Sequence, residues 1–224
     1  MRCMFCKKDS SQSRSAEHII PESMGNIAHM LPRGVVCDQC NGYFARKIEK
    51  PVLDSGMFQF LRNKREIPNK KGNIPKLGDD HHANLPEYRL MTRLVGKIGL
   101  EGLVAKVLGV DGWNSEIVDS PSLDDLRNYV RFDKLKSAWP MTVRTLYPVN
   151  AVFKERKESF EVLHEWDILV TPTVEYYIVV VILGVEFSLN LGGPENGAYQ
   201  QWLEANNYAS PLYLPKHEQG VAGK

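Results

Sequence analysis

The 224-residue sequence predicts an α+β protein in which a small N-terminal module, stapled through cysteines, precedes a larger domain of helices and antiparallel sheet. Three observations carry that expectation. All four cysteines fall within the first 40 residues, as the pairs Cys3/Cys6 and Cys37/Cys40. Residues 86–108 space their apolar side chains at helical intervals, and after Trp139-Pro140 the texture turns to β-branched and aromatic runs.

Taken in order, Ile19-Ile20-Pro21 and Gly34-Val35-Val36 are short apolar runs bounded by turn-formers, and each is predicted as a strand. A helix is expected from about Asp38, with Phe44 and Ile48 at i, i+4 and Asn41 on the same face; Pro51 should stop or kink it. Leu53 to Arg65 reads as a second helix. Ile67 to Ala83, rich in Lys, Gly, Asn, Asp and Pro without periodicity, reads as a linker. This gives boundaries of 1–66, 67–83 and 84–224. In the last segment one buried-faced helix is predicted over Pro86–Leu108, and Ser122-Leu-Asp-Asp125 offers a capping-box-like start to a short helix through Val130. Strands are expected at Met141–Tyr147, Phe160–Val170, Tyr176–Leu183 and Val185–Leu191, and a closing helix at Tyr199–Asn206.

The cysteines are the most specific signal. Two Cys-x-x-Cys turns supply the four sulfurs of a closed tetrahedral zinc site, whereas core filler would be scattered along the chain. With Cys3 so near Met1, disulfides are not expected; a reducing, cytoplasmic setting is. The 30 residues between the pairs exceed an ordinary zinc-ribbon gap, so function is expected in that insertion.

Charge is divided unevenly. Residues 1–76 hold 14 Lys/Arg against 7 Asp/Glu, and residues 77–224 hold 14 against 20. A compact basic half suits a phosphate backbone, and the acidic half argues against a second long nucleic-acid groove. The longest apolar run, Tyr176 to Val185, is half a membrane span, so no membrane-spanning segment is expected.

Between the cysteine pairs stands Glu17-His18-Ile19-Ile20-Pro21-Glu22-Ser23, and the second pair reads Val35-Val36-Cys37-Asp38-Gln39-Cys40-Asn41. Over residues 3–50 this resembles the HNH, or ββα-metal, endonuclease family in its zinc-containing form. The chemistry suits those residue types independently: phosphodiester hydrolysis needs a base to take a proton from water and a divalent cation to neutralise the phosphate. His18 can be that base, since an unperturbed histidine has a pKa of about 6.5. The resemblance implies that Glu17 and Asn41 are the ligands of a catalytic Mg²⁺ or Mn²⁺, distinct from the structural zinc of Cys3, Cys6, Cys37 and Cys40. A regular strand points Glu17 and His18 to opposite faces, so a twist or bulge is needed there to bring both to one cation.

The middle Asn of the family pattern is missing. Its neighbourhood here is Leu31-Pro32-Arg33, and Asn26 and His29 are the nearest substitutes for orienting His18 or touching phosphate. Arg33, Arg46 and Lys47 are candidate phosphate contacts, while Lys50 is out of phase with Asn41 on a helix. No role is assigned to His81, His82, His164 or His217. The expected function is a metal-dependent endonuclease, with DNA favoured over RNA by the resemblance and a place in restriction or phage defence. Cleavage of both strands would need a homodimer or two encounters, and the C-terminal domain would take a regulatory ligand or protein. The alternative is a non-catalytic zinc module that binds nucleic acid beside a protein-interaction domain, for which the Glu17, His18, Asn41 trio has no use.

Overall fold

The computed structural model describes residues 1–26, 28–69, 71–78, 82, 84–111, 116–146, 164–182 and 184–213. Its N-terminal part holds a two-stranded antiparallel hairpin, β1 (Glu17–His18) with β2 (Met30–Leu31), followed by α1 (Asp38–Phe44), a π turn (Ala45–Glu49), α2 (Lys50–Leu53) and α3 (Gly56–Lys64). Each strand lies ahead of its predicted run, Glu17–His18 before Ile19-Ile20-Pro21 and Met30–Leu31 before Gly34-Val35-Val36. Ile19, Ile20, Val35 and Val36 are all buried, so neither pair can alternate between core and solvent as strand residues would, and Pro21 and Pro32 supply no ladder donor.

Pro51 does not stop the helix, and the irregularity beside it takes the form of a widened turn. The proline sits in the first turn of α2, directly after the π turn in which Lys50 N–H bonds the Ala45 carbonyl. A proline inside a helix lacks the N–H and crowds the carbonyl four residues back, and widening the preceding turn relieves both. Ser55 then breaks the chain between α2 and α3.

The described part of segment 67–83 contains no helix or strand. Beyond it, α4 (Tyr88–Asp111) is the central element, buried on every side from Met91 to Gly102. Next come α5 (Glu116–Asp119), a 3₁₀ turn at Pro121–Leu123 and α6 (Asp124–Phe132). The predicted capping box does not form: Pro121 seeds a tighter turn first, and the Ser122 hydroxyl pairs with that of Ser120 at 2.8 Å.

The C-terminal sheet is antiparallel, in the order β3 (Thr142–Thr145), β6 (Val185–Asn190), β5 (Tyr176–Ile182), β4 (His164–Val170), and α7 (Gly197–Ala205) follows it. The predicted extensions of strands through Tyr147, Phe160 and Leu183, together with His81, His217 and the tail from Lys216, lie outside the described residues. β5 is apolar on both faces because both are covered. Ile178, Val180 and Ile182 join the main core with α4, while Tyr177 and Val179 form a second cluster with Tyr199 and Leu203 of α7.

One hydrophobic core runs from Cys3 to Leu191, so the N-terminal part and α4 share their apolar faces. Exposed ion pairs cross the same junction, Arg2 with Asp119 at 2.7 Å and Lys7 with Asp124 at 2.6 Å, so part of the basic excess meets part of the acidic excess within the chain. Close approach of α4 to the sheet depends on Gly99, where a Cβ would lie 2.6 Å from Leu191 Cδ2 and 2.9 Å from Ile178 Cγ2. Helix propensity alone would make Gly99→Val mildly favourable. Overpacking dominates, and we expect this variant to lose about 2 kcal/mol of stability, measured by chemical denaturation.

Candidate active site

The four sulfurs lie within 4.8 Å of one another. Around zinc, with Zn–S bonds of about 2.3 Å, tetrahedral sulfurs stand about 3.8 Å apart, and the Cys6–Cys37 separation of 3.7 Å already matches. The first knuckle is a tight turn in which Cys3 N–H bonds the Lys8 carbonyl and Lys7 N–H the Cys3 carbonyl, each at 2.8 Å, with Lys7 left-handed at φ 59°. The second is the start of α1: Cys37 is the N-cap, its sulfur accepting from Cys40 N–H at 3.4 Å, and its own N–H donates to Cys3 Sγ at 3.3 Å.

Those contacts divide the thiols electrically. The hydrogen bond with Cys40 pulls Cys3 down to about 5, the same contact and burial push Cys40 up, and burial raises Cys6 to about 11. Sulfurs this close cannot all ionise without a cation among them, and zinc is the cation that four gathered thiolates select. Arg131 of α6 donates Nε–H to Cys40 Sγ at 3.1 Å, a partner 91 residues away that cysteine spacing could not reveal.

α1 continues from the second knuckle, so Asn41 follows Cys40 in its first turn. Its side-chain N–H donates to the Ala16 carbonyl at 3.1 Å, tying the helix to the residue that leads into β1. Asn41 therefore lies beside the Glu17-His18 strand. Glu17 is buried and His18 half-buried. β1 carries only two rungs, Glu17 opposite Leu31 and His18 opposite Met30.

The hairpin loop is organised by Asn26. Fully buried, it donates to the carbonyls of Ile20 (2.7 Å) and His29 (3.1 Å) and accepts from the N–H groups of Ala28 (3.0 Å) and His29 (2.9 Å). Since His29 in turn offers its carbonyl to Ile19 N–H at 3.0 Å, Asn26 braces both ends of the loop that carries His18 into place. The His29 ring is exposed and packs edge-on against His164 and Trp166 of β4, with centroids 5.7 and 6.0 Å apart. Burial holds the His164 ring below the usual histidine range. Arg33, Arg46 and Lys47 are exposed; Lys50 is exposed too and paired with Asp54.

Three further charged groups complete the cluster, none of them apparent from motif spacing. Lys97 of α4, wholly buried, places Nζ 2.7 Å from Glu17 Oε1, 3.0 Å from Glu101 Oε2, 3.2 Å from Glu49 Oε1 and 3.1 Å from the His18 carbonyl. Burial opposes its charge, but the carboxylates of Glu101, Glu17 and Glu49 outweigh that and hold it well above the usual lysine range. Glu101, equally buried, is pushed well above the carboxylate range by desolvation, which Lys97 opposes. Glu49 would stand about 80° around an ideal helix from Asn41; the π turn absorbs one extra residue, about 100°, and brings it back near the azimuth of Asn41. The only signal for Lys97 and Glu101 was a Lys–Glu pair at i, i+4 in an otherwise apolar stretch of helix, which reads equally well as a solvated stripe.

Residues 3–55 match a family model described as HNH endonuclease. Searches of curated proteins and of solved structures found no match to the chain. The matched segment contains the four cysteines, Glu17, His18, Asn26, Asn41 and Glu49, and excludes Lys97, Glu101 and Arg131. No helix among the described residues is long and apolar enough to cross a membrane.

If the sulfurs hold zinc, Cys37→Ser should cost about 4 kcal/mol or more, because loss of a structural metal belongs to the most damaging class of substitution. That corresponds to a fall in Tm of roughly 10 °C for a chain of this length. Calorimetry with elemental analysis should show it as lower melting with loss of about one zinc per chain; parental melting in the variant would contradict a structural metal.

Proposed function

We propose that the protein is a metal-dependent endonuclease hydrolysing phosphodiester bonds in DNA. One observation carries the reading: a cysteine cluster fit for zinc starts α1, and Asn41 in its first turn is bonded to the residue preceding Glu17-His18, so the three proposed residues belong to one hairpin–helix junction. The match to the HNH endonuclease model over the same residues supports it.

In this reading His18 is the general base. Its neutral imidazole takes the proton of a water whose oxygen bonds to phosphorus, while the bond to the leaving oxygen breaks and that oxygen takes up a proton from solvent. Glu17 and Asn41 would hold Mg²⁺ or Mn²⁺, hard cations suited to oxygen donors, and a bound cation would supply charge neutralisation at the phosphate and leaving oxygen. Even without the buried Glu101, the carboxylates of Glu17 and Glu49 outnumber the single ammonium of Lys97, so the donor set fits a cation. Asn26 aims His18 by bracing the hairpin, in the place of the family's middle Asn. The exposed Arg33, Arg46 and Lys47 would contact flanking phosphates, DNA rather than RNA following from the resemblance. A role in restriction or phage defence, with a homodimer for cutting both strands and a ligand or protein at residues 84–224, extends the same reading.

A second reading draws on a specific observation. Glu17 is buried and held by Lys97 at 2.7 Å, as expected of a scaffold that keeps nuclease architecture only to bind nucleic acid. Incubation with supercoiled plasmid separates the two. For the nuclease we expect nicking that needs Mg²⁺ or Mn²⁺, stops with EDTA, and falls at least about 100-fold in His18→Ala and in Asn41→Ala, with zinc and fold retained. Plasmid bound but left intact by the wild type would support the binding module.

A further inference from the structure

Lys97 belongs to the C-terminal half and lies outside the HNH-matched segment, yet its side chain ends among the residues of the proposed cation site. It is completely buried and meets four oxygens. Two belong to the Glu17-His18 dipeptide: a carboxylate oxygen of the first residue and the backbone carbonyl of the second. Glu49 reaches the ammonium because of the π turn. Glu101, one turn along α4, lies outside the N-terminal module and holds the ammonium from behind.

We propose that Lys97 is a positioning residue of the nuclease site, fixing Glu17 and His18 together from one buried point and keeping a divalent cation out of the place its ammonium fills among the acidic side chains. The inference rests on the nuclease reading above. A strand of two rungs is too short to set the dipeptide's orientation by its own ladder, and its two side chains leave on opposite faces. An ammonium that bonds one side chain and the other residue's carbonyl sets both at once. Charge makes the second half of the argument. Glu17, Glu49 and Glu101 converge within 3.2 Å of a common point, which Lys97 occupies. With that place vacated, a divalent cation would be drawn among the three carboxylates and away from Asn41.

Removal of the ammonium therefore has two opposite effects, tighter cation binding and slower cleavage, which loss of packing alone would not combine. The test is Lys97→Met in the full-length protein, similar in length and without the charge, with zinc content and melting as controls for folding. Mn²⁺ affinity is read by electron paramagnetic resonance in the absence of DNA, and nicking of supercoiled plasmid is read separately. We expect Mn²⁺ to bind at least about tenfold more tightly, because a repelling charge a few ångströms away is gone. Nicking should be at least about 100-fold slower, the usual cost of misplacing reacting groups by an ångström. Unchanged nicking overturns the proposal, as does slower nicking with unchanged or weaker Mn²⁺ binding.

Should Lys97→Met fail to fold, Glu101→Gln carries the test, since it keeps the volume and loosens the anchor from behind. Nicking reduced about tenfold with zinc retained supports positioning through Lys97, and wild-type nicking with wild-type Mn²⁺ affinity overturns it. A wild type that neither nicks nor binds Mn²⁺ overturns the nuclease reading and this inference with it. A nicking wild type beside an equally active Lys97→Met overturns this inference alone.

Discussion

Four sulfurs fix where everything else in the N-terminal module can go. Two strands of two residues and one short helix do not bury enough apolar surface to hold a shape unaided, and small units of this kind depend on a staple. Cys3 and Cys6 come from a turn at the chain's start, while Cys37 caps α1 and Cys40 lies in its first turn. Bringing those sulfurs within 4.8 Å sets the origin and direction of α1, and so the position of Asn41, the next residue after Cys40. The bond from Asn41 to Ala16 then transfers that constraint to β1. Metal-fit geometry, helix capping and the placement of the candidate site are consequences of one cluster.

The C-terminal half is built around this module. α6 supplies Arg131 to the sulfurs, β4 sets His164 and Trp166 against the hairpin loop, and α4 runs beneath with Lys97. Exposed pairs such as Arg2–Asp119 contribute little, on the order of 0–1 kcal/mol each. The Lys97 cluster is different in kind. Its charges are costly to desolvate, and breaking such a buried set by removing one partner costs about 3–5 kcal/mol. An ammonium placed in a shared core at that cost ties the geometry of the Glu17-His18 strand to residues more than 70 positions away. The continuous core from Cys3 to Leu191 gives the same coupling in apolar terms.

Much of this was legible in the sequence, where local chemistry dictates it. The Cys-x-x-Cys spacing announced the sulfur cluster, the acid–His dipeptide and the Asn after Cys40 marked the residues proposed for the site, and helical spacing or β-branched and aromatic runs located α4, β5, β6 and α7 to within a few residues. The N-terminal strands were misplaced because Ile19-Ile20 and Val35-Val36 are apolar for burial and not for strand formation. The π turn was invisible because Pro51 reads as a stop or a kink, although widening the turn before it satisfies the same steric demand. Asn26 stood five residues from the expected position of the middle Asn, and only its four hydrogen bonds reveal that it braces the loop. Lys97, Glu101 and Arg131 could not be assigned to the site, since their partners there are distant in sequence and a charged helical stripe ordinarily means solvent.

The most direct measurement is anomalous diffraction from a crystal soaked in Mn²⁺, recorded at the zinc and manganese edges. The account predicts a zinc peak centred among Cys3, Cys6, Cys37 and Cys40, and a separate manganese peak between the side chains of Glu17 and Asn41. A manganese peak elsewhere, or four sulfurs joined as disulfides with no zinc among them, would contradict it.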